Sequence, residues 1–119
     1  MQRSVQRNSA GISWWLQSIS GFLLVVLLLV HMIANHFVVP GGLQTYRDVV
    51  NYLSNPMIVI LELAFLIVVT AHALLGVRAI LFDTGLSRQA ERRASALFTI
   101  LGVLIVAYGV WLTALIANR

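Results

Sequence analysis

Cysteine is absent from the 119 residues, which excludes disulfides, iron–sulfur ligation and thiol chemistry within this chain. Charge is scarce as well. Asp, Glu, Lys and Arg together make up 10% of residues, against about 25% in soluble proteins. The net charge of +4 is not a nucleic-acid surface, because no basic stripe with interleaved aromatics exists. Proline occurs twice, at Pro40 and Pro56, and each stands at the border of an apolar run. Internal repeats, low-complexity tracts and a second domain are also missing, so residues 1–119 read as a single membrane domain. What is present is apolar side chain: 60% of residues are hydrophobic, with a mean hydropathy of +0.91. A domain this small leaves a large share of its surface exposed, so lipid is the solvent that suits it.

The pattern predicts an all-α membrane protein with three spans, at about 13–38, 56–83 and 94–117. Each is long enough to cross roughly 30 Å of hydrocarbon. The opening MQRSVQRNSAGIS is polar and basic like the start of a signal peptide. The apolar run after it is too long and lacks a small-x-small cleavage site, so it reads as a retained first span. Trp14 and Trp15 open that span, as an interfacial belt would place them. Pro40-Gly41-Gly42 ends it. Residues 43–54 place Leu43, Tyr46, Val50 and Leu53 at helical spacing, which predicts a short helix along the membrane surface. Asn55-Pro56 opens the second span, with proline in the first turn, and Gly85 follows it as a stop signal. Residues 86–93 are a polar link; Ser87 and Ala90 make a poor capping box. Arg3, Arg7, Arg88, Arg92 and Arg93 fall on one side, and Arg47 and Arg119 on the other. That bias predicts a cytoplasmic N-terminus.

Three histidines, His31, His36 and His72, lie in or at the edge of spans. An imidazole inside hydrocarbon needs a partner. Gly76, one turn past His72, clears room on the same face. Histidine beside cleared flat space suits a planar cofactor, and haem is commonly held this way. The bland alternative is a hydrogen bond to a neighbouring helix. The rise per residue puts His31 and His72 about 10 Å or more apart in depth, so they would not share one iron. His36 suits the interface, or a haem propionate. Arg78 reads either as a snorkelling cation or as the partner of a propionate or quinone oxygen. Gln17, Ser18 and Ser20, followed by Gly21, form a polar patch at the start of the first span; it serves close helix packing or the wall of a quinone pocket. Glu62, in the second span, is either protonated, paired across the bundle or open to a cavity.

Three stretches then resemble the small membrane-anchor subunit of succinate dehydrogenase. WLQSISGFLLVVLLLVH is similar to the family's first span, with a histidine ten residues after the glycine. YRDVVNYLSNP is like the stretch before the second span, and HALLGVRAILFD looks like the family's H-x-x-x-G-x-R-x-x-x-x-D haem helix. The resemblance implies half of a haem-binding bundle, completed by a sister anchor subunit. It makes His72 a haem b ligand, His31 the ligand of a second haem, and Asp83 a neighbour of the quinone site. It also implies iron–sulfur and flavoprotein subunits as partners. Ser18 stands where many members have a quinone-binding arginine, and Thr84 where some have tyrosine, which shifts the quinone contacts toward the sister subunit. Nothing in the chain binds flavin or succinate. The alternatives are a fumarate reductase anchor or a haem-free structural tether.

Overall fold

The computed structural model describes the backbone from residue 2 to 119 and the side chains from residue 11 onward. Met1 and the side chains of residues 2–10 lie outside the described residues, so the charge contributions of Arg3 and Arg7 are not placed.

Among the described residues all regular structure is helical: α1 (Gln2–Phe37), α2 (Tyr46–Leu53), α3 (Pro56–Phe82) and α4 (Arg88–Ala117). Three are long and apolar enough to cross a membrane, over Gly11–Phe37, Pro56–Phe82 and Arg88–Ala117. With 36 residues, α1 is about 54 Å long, well beyond the hydrocarbon thickness, so its first turns extend past it. It stops ahead of Pro40, and the chain reverses through Gly41 and Gly42 at φ 82° and 81°, a region open to glycine.

The connecting helix α2 is fixed by a capping box. Asp48 N donates to Thr45 Oγ1 at 3.2 Å, while the Asp48 carboxylate accepts from Thr45 N at 2.8 Å and Thr45 Oγ1 at 2.9 Å. The Thr45 hydroxyl, then the backbone N–H groups of Thr45 and Gln44, hold the Asp48 carboxyl below its ordinary 3.8. Of the four residues expected on the inner face of this helix and its approach, Leu53 is buried and Leu43 and Val50 are half-buried, and only Tyr46 departs. Tyr52 and Leu53 are buried, whereas Tyr46 is exposed. The helix packs on α3 and α4 because the core at this end, Ala34, Ile58, Ile116 and Ala117, offers an apolar seat.

Asn55 caps α3 by accepting from Met57 N at 2.9 Å, with Pro56 at the first position. At the far end Asp83 is the C-cap and Gly85 turns the chain. Ser87 then caps α4 by accepting from Ala90 N at 3.2 Å. The helix begins at Arg88, six residues before the expected apolar start, because Arg, Gln, Ala and Glu are good helix formers once the cap is in place.

α3 runs between α1 and α4, antiparallel to each, and among the described residues those two do not pack on one another. Glycine notches on α4 receive α3. A Cβ at Gly102 would lie 2.9 Å from Leu74 Cδ1, and one at Gly109 would overlap the Leu66 side chain. Most large apolar side chains stay exposed, Phe22, Leu29, Ile80, Val103 and Trp111 among them.

Candidate functional site

The α1–α3 seam gathers the polar side chains of the apolar spans at two levels. At the level nearer Asp83, Ser20 Oγ donates to the Gln17 carbonyl at 3.0 Å and stands 3.0 Å from His72 Nδ1. A hydroxyl has one hydrogen. With that hydrogen given to Gln17, Ser20 accepts from His72, and Nδ1 carries the proton. The neutral ring then has its lone pair on Nε2. Gly21 lets the ring lie against α1: a Cβ there would sit 3.2 Å from His72 Cε1. The space beside Gly76, one turn along, is filled by the Gln17 amide, whose Nε2 would stand 3.1 Å from a Cβ. Gln17 Oε1 is buried with no donor among the described residues.

Below this seam lies a groove of about 520 Å³ that Gln17, Arg78, Asp83, Trp14 and Ser13 line together with Glu91 of α4. Three expected site residues, Gln17, Arg78 and Asp83, thus share one wall. Ser18 is exposed and does not line it. Arg78 is held in place: Nε donates to Ser95 Oγ at 3.0 Å, and the guanidinium lies 4.4 Å over the Phe82 ring. Arg78 also borders a wider, mostly apolar groove of about 710 Å³ between α3 and α4, which reaches Thr70 and Thr99.

At the opposite level His31 Nδ1 meets both Glu62 oxygens, at 2.9 and 3.0 Å, and the ring stacks on Phe65 with centroids 4.7 Å apart. The Tyr52 hydroxyl donates to the same carboxylate, and Asn35 Nδ2 donates to the His31 carbonyl at 2.7 Å. Burial, then the bond to Glu62, pushes the Tyr52 phenol above its usual 10. The ten residues between Glu62 and His72 on α3 separate the two levels by about 15 Å. His36 is exposed, joins neither cluster and lies near Gly42.

Sequence reasoning left Glu62 without a named partner and missed Tyr52 and Asn35. The signal was in the register. Glu62, Phe65, His72 and Gly76 share one face of α3, while Gln17, His31 and Asn35 share one face of α1. Among the described residues no three His, Asp or Glu gather around a metal-sized space.

The chain matches the family model described as succinate dehydrogenase/fumarate reductase transmembrane subunit over residues 2–113. It is 33% identical over 101 residues to the succinate dehydrogenase hydrophobic membrane anchor subunit of Archaeoglobus fulgidus, covering 85% of this chain and 86% of that one. The protein of the same description from Thermoplasma acidophilum is 26% identical over 118 residues, covering 99% and 96%. No solved structure matches. With its three membrane-crossing helices and a match over nearly its whole length, the chain belongs to the transmembrane subunits of the succinate dehydrogenase/fumarate reductase family.

Proposed function

We propose that this chain anchors a succinate dehydrogenase in a prokaryotic inner membrane, with its N-terminus cytoplasmic, and that it shares a haem b with a sister anchor subunit through His72. The iron–sulfur and flavoprotein subunits sit on the cytoplasmic face, where the Asp83 end of the bundle lies. The chain itself carries no flavin or succinate chemistry. The observation that carries the haem assignment is the Ser20–His72 hydrogen bond. It fixes the ring by Nδ1 and leaves Nε2 to bind iron, the arrangement in which protein-held imidazoles ligate metals. Gly21 fits the same purpose, because it lets the ring lie flush against α1. A haem b held there would supply a one-electron store beside the path to quinone.

The smaller groove suits the quinone head. Arg78 and the Gln17 amide, which both line it, offer N–H donors to a carbonyl oxygen. Asp83, at the rim, can exchange a proton with water.

The test is haem content in the assembled complex. His72→Ala removes the inner haem, lowering the haem-to-protein ratio by one per complex in the reduced-minus-oxidised spectrum, while the four subunits still co-purify. Full haem stoichiometry in that variant refutes the assignment. The same measurement decides the role of His31. His31→Ala lowers haem from two to one per complex if His31 is a ligand. It leaves the ratio unchanged if the pair with Glu62 only ties α1 to α3.

A further inference from the structure

We infer that Ser20 is a positioning residue that sets the proton on His72 and, through it, the reduction potential of the haem; this rests on the haem reading above. The inference starts from a hydroxyl that touches no reacting atom. Ser20 Oγ lies 3.0 Å from two groups, the Gln17 carbonyl three residues back on its own helix and His72 Nδ1 on the facing helix. A carbonyl can only accept, so the Ser20 hydrogen goes there, and what remains toward His72 is lone pair. The hydroxyl is therefore an acceptor for Nδ1–H.

The surroundings leave Nδ1 no substitute acceptor. A Cβ at Gly21 would stand 3.7 Å from Nδ1, so α1 lies close to the ring. The hydrogen bonds found for the His72 ring among the described residues run to Ser20 alone. Without Ser20 this half-buried N–H loses its one partner among the described residues, and the ring is free to turn or to change tautomer.

An acceptor on Nδ1–H makes the imidazole a more basic ligand, and a more basic ligand favours the oxidised iron. A serine oxygen does this modestly, since it is neutral. The contrast lies one seam-length away, where His31 Nδ1 faces a carboxylate instead. The chain thus offers its two candidate ligands acceptors of different strength.

The experiment is a redox titration of the haem in the intact complex for Ser20→Ala and Ser20→Thr. Threonine keeps the hydroxyl and can make the same bond back along the helix. In S20A the midpoint potential rises, with a three- to tenfold change in the reduced-to-oxidised ratio at fixed ambient potential; tenfold is about 59 mV for one electron. In S20T the potential stays at the wild-type value. Equal shifts in both variants overturn the inference, because packing and not the hydroxyl would then be responsible; so does an unshifted S20A. If S20A does not assemble, S20V against S20T, alike in shape, asks the same question, and equal behaviour of that pair is again refutation. The haem reading fails separately, by full haem stoichiometry in H72A.

Discussion

Gly21 gives the sharpest test of how tightly the His72 ring is seated. A methyl group there would lie 3.2 Å from Cε1 and 3.7 Å from Nδ1, too near the ring for comfort at the first contact and ordinary at the second. The neighbour that must give way is the imidazole itself. Turning a side chain about 30° off its rotamer costs about 0.5–1.5 kcal/mol. That cost falls on the geometry that presents Nε2, so with His72 as the proposed haem ligand the haem affinity should drop about two- to tenfold in Gly21→Ala. Gly21→Leu cannot be relieved by a ring turn and should lose haem outright. Gly11 is the control on the same helix, since a Cβ there meets nothing within 4 Å. The assay is the rate of haem transfer from the purified complex to an excess of an apo-globin acceptor. G21A should release haem faster than wild type, and Gly11→Ala should match wild type. Equal release from G21A and G11A would refute the seating argument, whatever the fate of His72→Ala.

Gly109→Ala should destabilise the chain by about 1–3 kcal/mol, because a Cβ there overlaps Leu66 across the α3–α4 contact. Thermal unfolding in detergent reads it, and an unchanged midpoint would mean those helices are not packed this way. Tyr52→Phe leaves the Glu62 carboxylate one donor short and should cost about 1–3 kcal/mol in the same assay. The α2 cap should depend on acid. The folded Asp48 carboxyl titrates below its ordinary 3.8, so its stabilisation is whole above that value and fades as pH falls through the lower, folded one. Amide exchange in α2 should accelerate over that range while α3 stays protected, and equal protection of α2 on both sides of it would count against the capping box.

Hydropathy and punctuation carried most of the fold. Pro40, Pro56 and the glycines at 41, 42 and 85 mark borders through backbone geometry, which is local and therefore readable. The start of α4 was less readable, because Ser87 caps without a reciprocal acidic partner and the polar residues after it look like a linker. Tyr46 on α2 was misjudged because helical spacing gives a face but not its neighbour. Ile116 and Ala117, far along the chain, decide that Tyr52 and Leu53 are the buried pair. The candidate site divides the same way. His72, Arg78 and Asp83 are visible as a spaced motif on one helix. The partners Ser20 for His72, Glu62 for His31 and Ser95 for Arg78 depend on which faces of two helices meet, and no single stretch encodes that.

The polar side chains also show which faces belong to protein and which to lipid. In hydrocarbon an unpaired polar group costs several kcal/mol, so a span keeps such groups only where something meets them. On α3 they meet α1 through Glu62 and His72, and α4 through Arg78. Gln17 departs from this pattern, since its Oε1 is buried in the seam with no donor among the described residues. A leucine would fill that place at no polar cost. The Gln17 amide nitrogen fills the space beside Gly76, and the residue lines the groove that also holds Arg78 and Asp83, so the helix contact accounts for one end of this side chain and not for the other.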